Sequence, residues 1–225
     1  SMPRPKLVDY RKQQILDAFA RSIVQHGIGG TTLEKIAESA GMRRSILRHY
    51  VGNRGDLIEE MANRILDRFD RRIDELKSIE TGSNPVEELL EWLIPVESAQ
   101  SQEEFTIFDA LVSEAGRHPN LDRLIRRHLE RMLDGMTRTI AEVFAGATNG
   151  QCRDAAVSLA ALSYAFHQWT PLQLNQDDSL RRTAESILAS LAAPRKPRLR
   201  PVVAKREESE PPRAFQEESE IGIND

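Results

Sequence analysis

The stretch TTLEKIAESAGMRRSILRHYVGNRGDL, Thr31 to Leu57, limits what this chain can fold into more than any other part of it. It predicts two short helices joined by a tight turn, then the start of a long third helix. Thr31 is placed to cap the first helix, and Glu34 follows three residues on, the spacing of a capping box. Leu33, Ile36, Ala37 and Ala40 recur at helical spacing and make one apolar face. Gly41 stops that helix, because the left-handed backbone that ends a helix is cheap only without a Cβ. Met42 then turns back to the core. Ile46, Leu47 and Tyr50 give the second helix a short apolar face, while Arg43, Arg44, Ser45, Arg48 and His49 fall on the other side. Ala37 and Gly41, four residues apart, let two helices cross closely. This is the geometry of a helix-turn-helix, whose second helix enters the major groove of a duplex.

These residues carry a family resemblance. The window resembles the DNA-binding domain of the TetR family of bacterial transcriptional regulators, whose pattern runs roughly T-x-x-x-I-A-x-x-A-G-V-S-x-G-T-L-Y-x-Y-F-x-x-K-x-x-L. Thr32, Ile36, Ala37, Ala40, Gly41, Leu47, Tyr50 and Leu57 match it, with Met42 and Arg54 as near matches. Arg48 stands where the family has a tyrosine, Val51 where it has the following aromatic and Ile46 where it has a threonine. Arg48 can still reach a phosphate, so the departures bear on the contact pattern and the operator sequence rather than on binding. Motif-level resemblance is confined to the first quarter of the chain. Helix layout extends it to about Ala193.

Charge distribution points the same way. The whole chain carries −4, which on its face argues against nucleic acid. Residues 1–57, however, hold 10 Lys/Arg against 5 Asp/Glu, so the acidic excess lies entirely in the remainder. A basic head on an acidic body presents one face to DNA and repels it elsewhere. Within the head, Arg43 and Arg44 open the second helix, where bases are read, and arginine can bind guanine O6 and N7 together. Ser45 allows close approach, and Arg48 and His49 lie about one turn on. Tyr50 packs in the head with its hydroxyl at the edge. Arg54, at the start of the long helix, suits a phosphate. Thr31 and Thr32 combine a capping role with a possible phosphate contact. The candidate DNA-binding residues are therefore Thr31, Thr32, Arg43, Arg44, Ser45, Arg48, His49, Tyr50 and Arg54.

The rest reads as helix after helix. A basic, Pro-containing arm (1–9) precedes a first helix from about Asp9 to His26. Asn53 caps a long fourth helix, Arg54 to Ile79, with Asp56 at its third position. Gly82-Ser83-Asn84-Pro85 marks a break, with Asn84 as cap and Pro85 opening a fifth helix. Further helices are expected over about 103–117, 121–145, 151–170 and 177–192. With few β-branched runs and no alternating stretches, the fold class is all-α, about nine helices in all; the resemblance implies a three-helix helix-turn-helix head and a helical ligand-binding and dimerisation bundle. The expected domains are 1–57, 58–193 and a Pro-rich charged tail, 194–225, read as solvated and flexible.

The resemblance implies more. Family members bind small hydrophobic effectors in the body, and Trp92, Phe108, Met136 and His167 are the candidate ligand-binding residues. Glu97, Glu114 and Gln168 are further polar candidates. The resemblance also implies a homodimer through helices eight and nine, and Ala155, Ala156, Ala160 and Ala161 on the eighth suit close packing. No cofactor or metal is expected: the five histidines are dispersed and no HExxH, P-loop or GxGxxG occurs. A lone cysteine, Cys152, and no apolar run of spanning length suggest a cytoplasmic protein without membrane contact. The implied function is a ligand-responsive regulator, a repressor of a double-stranded DNA operator, and not an enzyme. The alternative is a helical small-molecule- or partner-binding module without DNA binding.

Overall fold

A computed structural model describes residues 4–95, 99–174 and 178–192. The predicted tail 194–225, Glu97 and the predicted start of the ninth helix at Asp177 lie outside the described residues. Among the described residues there are nine α-helices and no strands: α1 Arg4–His26, α2 Leu33–Ser39, α3 Arg44–Val51, α4 Arg54–Ile79, α5 Pro85–Leu93, α6 Ala99–Glu114, α7 Pro119–Val143, α8 Asn149–Trp169 and α9 Ser179–Ala192.

Helices α1 to α3 build the head. Ile15, Leu16, Phe19 and Ile23 of α1 face Ile36 and Ala37 of α2 and Leu47 and Val51 of α3, all buried. Gln14 Nε2 donates to the Ala40 carbonyl at 2.9 Å, clamping α1 to the end of α2. Gly41 takes φ +65°, the conformation its position demands, and Met42 N–H returns to the Ala37 carbonyl at 2.9 Å. α1 begins earlier than its sequence suggests, at Arg4 rather than Asp9. Pro5 falls in the first turn, where its missing N–H has no helical partner to lose.

The core does not stop at the head. It continues through Leu57, Ile58, Met61 and Ile65 of α4 to Phe108 and Leu111 of α6 and Leu121 and Ile125 of α7. Arg64–Asp17 at 2.6 Å and Lys12–Glu60 at 3.4 Å fasten α4 to α1. α4 starts and ends as its capping and periodicity predict: Asn53 accepts from Asp56 N–H, and the Asp56 carboxylate accepts from Asn53 N–H. A second cluster fills the body, from Ile73 and Leu76 of α4 through Leu89, Leu90, Met136, Ile140 and Leu159 to Leu188 of α9. Gly135 lets α7 cross α4 closely, since a Cβ there would meet Ile73 and Leu76 side chains at 3.2 Å. Cys152 is fully buried in this cluster, and burial pushes its thiol pKa up.

Some expectations need correcting. Asn84 sits at the start of α5 but makes no side-chain cap. α6 opens at Ala99 instead of Glu103 and gives way to a 3-10 turn at Ala115. Val112 and Leu129, apolar side chains of α6 and α7, are each 37% exposed. Thr148 and Gln151 form an unforeseen capping box at α8, although their T-x-x-Q spacing is visible in the sequence. No helix among the described residues is long and apolar enough to cross a membrane.

Candidate functional site: the head surface and the body cavity

The outer face of α3 is a strip of exposed side chains held by a buried inner one. Leu47 and Val51 anchor the helix, while Arg43, Arg44, Ser45, Arg48 and His49 stand in solvent. Tyr50 is half-buried, packed against the head core and edge-on to His49 at 5.3 Å. Arg44 is not free: it pairs with Glu34 of α2 at 2.7 Å. Ile46, expected inward, is 43% exposed and joins the outer strip. It lies a full turn before Tyr50, on a helix too short to bury both edges.

Two expected DNA contacts are placed elsewhere. Thr31 is 1% exposed; its hydroxyl donates to the Gly27 carbonyl at 2.8 Å and lies 3.1 Å from the Ser22 hydroxyl. Its side chain is sealed inside the α1–α2 corner. The cap of α2 is Thr32, which accepts from Lys35 N–H at 3.3 Å, and Glu34 is engaged with Arg44 instead of closing a capping box. Arg54 likewise turns inward. Its guanidinium donates to the carbonyls of Thr31 and Ile28, so it braces the loop between α1 and α2.

In the body, α4, α5, α6, α7 and α8 enclose a cavity of about 360 Å³. Trp92, Phe108, Met136 and His167, named from four different helices, all line it. Of the further polar candidates, Gln168 and Glu114 are not in the wall; Glu114 pairs with Arg117 at 3.1 Å. The wall is mainly apolar and aromatic, and its volume falls in the range of small-molecule sites. The mouth lies toward Leu129, Val157 and Tyr164, each over a third exposed.

Comparison with known proteins agrees with the resemblance. Residues 15–61 match the family model described as bacterial regulatory proteins, tetR family. The chain is 27% identical over 164 residues to the HTH-type transcriptional regulator BetI of Burkholderia mallei (strain NCTC 10229), covering 72% of this chain and 82% of the relative. The head is thus similar to the TetR-family DNA-binding domain, and the relatives that extend the likeness into the body are transcriptional regulators. The fold is shared with a TetR transcription regulator from Haloarcula marismortui, at TM-score 0.67 and 16% identity over 81% of this chain and 98% of that one. It is also shared with a transcriptional regulator from Saccharomonospora viridis solved in complex with choline, at TM-score 0.64 and 18% identity over 82% and 96% of the two chains.

Most polar groups of the cavity are a part the sequence did not single out. Arg72, Glu104 and His128 line it, from α4, α6 and α7. Nothing in a single sequence distinguishes Arg72 from exposed Arg71 beside it. His167 stacks on Phe105 with ring centroids 4.3 Å apart. Burial and then the charge of Arg72 push its pKa down to about 4, so it is neutral at neutral pH. Tyr164 donates to the Asp109 carboxylate, and loss of water, reinforced by that carboxylate, pushes its phenol up to about 12. The cavity therefore combines ring faces, the neutral imidazole of His167, the His128 ring, the Arg72 guanidinium and the Glu104 carboxylate.

Proposed function

We propose that this chain is a TetR-family repressor that binds a pseudo-palindromic operator as a dimer and is released by a small hydrophobic effector held in the body cavity. The observation that carries the DNA reading is the exposed strip of α3, where Arg43, Ser45, Arg48 and His49 project from a helix fixed by buried Leu47 and Val51. Arginines at the start of a recognition helix suit guanine edges, and exposed Ile46 suits a thymine methyl. That the Saccharomonospora viridis protein was solved in complex with choline supports a small-molecule effector.

The coupling follows from α4. Its first turn is braced to the head by Arg54, and about four to five turns on Phe69, Arg72 and Ile73 line the cavity. α1 also packs on α6, whose Phe108 belongs both to the cavity wall and to the core shared with the head. A ligand that shifts α4 or α6 must therefore move the heads, and ligand and DNA oppose each other by linkage. Dimerisation through α8 and α9 is supported by their outer faces, where Val157, Ala161 and Ala189 are exposed. Two recognition helices would then lie about one helical turn of DNA apart.

The test is a gel shift on DNA flanking the gene, at several salt concentrations. A steep fall of affinity with salt is expected from phosphate contacts. Salt-independent binding, or none to any flanking sequence, removes the DNA reading and leaves a binding module.

A further inference from the structure

Arg72 is unusual among the arginines of this protein in where it keeps its charge. It leaves α4 into the cavity wall, with its guanidinium 5.6 Å from the centre of the Trp92 ring. One N–H donates to the Trp92 carbonyl at 2.8 Å, and the Trp92 indole N–H donates back to the Arg72 carbonyl at 2.8 Å. Cation and ring are thus held in register from both ends. A guanidinium has five N–H donors, and this one has a single hydrogen-bond acceptor among the described residues. The carboxylates that act on it are Glu75, which is exposed, and Glu104, which is already bonded to Arg68 and Gln100. Neither lies within ion-pair distance of it. The arginine is half-buried in an apolar wall, and loss of water lowers its pKa without removing its charge.

His128 adds a second directed group. It is 6% exposed, and its Nδ1 lies 2.6 Å from Asp70 Oδ1. The pairing fixes the ring and leaves Nε2 for the cavity that the ring lines.

Resting on the effector reading above, we propose that the effector is an amphipathic anion, a small carboxylate with an apolar body, whose acid group pairs with Arg72. Its body lies against Phe108 and Met136, and a hydroxyl or N–H on it is received by His128. The fork of the guanidinium matches a carboxylate with two parallel hydrogen bonds, and the low-polarity wall strengthens the pair. A quaternary ammonium ligand meets the Arg72 charge in the same wall, where the Glu104 carboxylate is already bonded to Arg68 and Gln100. The pairing falls on α4, the helix shared with the head, so neutralising Arg72 acts on the lever itself.

The experiment uses the full chain and a neutral fluorescent probe, N-phenyl-1-naphthylamine, displaced in turn by decanoate, decanol and decyltrimethylammonium. Decanoate should displace it at a concentration about tenfold below decyltrimethylammonium, the size expected of one hydrogen bond to a charged group. Arg72→Gln should erase that preference, and Arg72→Lys should keep it. Equal midpoints, or a preference for the cation, in the unmodified protein overturn the anion proposal while leaving the cavity intact. Absence of saturable probe fluorescence, or a signal unmoved by filling the cavity with Met136→Trp, overturns the cavity reading and this proposal with it. Should Arg72→Gln fail to fold by circular dichroism, the unmodified ratio and Arg72→Lys decide.

Discussion

Two arginine-bearing surfaces of this molecule keep their charge in opposite surroundings. On α3, Arg43 and Arg48 are exposed, and water and salt screen them. In the body, Arg72 is half-buried against Trp92. A screened cation gains little from any one partner but adds up along a polyanion, with a salt dependence that counts the contacts. A desolvated cation responds to one counter-charge and discriminates sharply against the wrong sign. The same residue type thus reads a polymer on one surface and a single small molecule on the other. The scaffold beneath them is common, because one core runs from Leu47 to Phe108.

The largest effect tests that shared scaffold. Leu47 is fully buried, and Leu47→Ala should cost about 2–5 kcal/mol of stability. Because the head's core runs on into α4, α6 and α7 of the body, urea should unfold head and body in one transition, with DNA binding and cavity-probe binding lost together. Two separated transitions would show that the surfaces sit on independent domains.

Arg54 sharpens the contrast from inside the head. Its guanidinium serves the Thr31 and Ile28 carbonyls, so Arg54→Ala leaves two acceptors of the corner without their donor. A loss of about 1–3 kcal/mol in stability follows. The slope of affinity against salt should stay as it was, as the side chain faces away from DNA. A slope reduced by a full phosphate contact, with stability unchanged, would return Arg54 to the surface set.

The cavity side has its own pH signature. In the folded chain His167 has its pKa lowered to about 4, against an ordinary value near 6.5. The unfolded chain therefore binds more protons between those values, and stability rises with pH across them. The contribution is complete above the ordinary value and is lost progressively as pH falls toward 4, about 2 kcal/mol of it by pH 5. His167→Phe keeps the stack on Phe105 and removes the titration. Urea melts at neutral and mildly acidic pH should show a steeper loss in the parent than in this variant, and equal losses would refute the assignment.

What the sequence made legible follows from local physics. The recognition motif and α4 are written in caps, glycines and periodicity, and they stand where those signals put them. Trp92, Phe108, Met136 and His167 are large side chains on successive helices, and a bundle brings such residues together. The details that escaped depend on tertiary choices. Adjacent threonines compete for one cap, and packing settled it by burying Thr31 against Ser22. Arg54 is drawn inward by carbonyls 23 and 26 positions away in the chain. Arg72 enters the wall only because Trp92 of α5 lies under it. None of these partners is within one helical turn, so no local pattern reports them.

The smallest effects lie on α3, and they separate a free arginine from a tethered one. Arg43 and Arg44 are neighbours in sequence with different obligations, since Arg44 is paired with Glu34 at 2.7 Å. Both partners of that pair are more than half exposed, so the pair itself is weak. It still competes with any contact Arg44 makes on DNA. Arg43→Ala should weaken binding and relax sequence preference, as expected of an arginine that reads a guanine edge. Arg44→Ala should cost less affinity than Arg43→Ala, because part of what it loses was spent on Glu34. Glu34→Gln should release Arg44 and remove a negative charge from the DNA side, tightening all sequences slightly. Gel shifts at matched salt decide the order. If Glu34→Gln weakens binding instead, the pair orients Arg44 for a base, and the tether is part of the recognition surface.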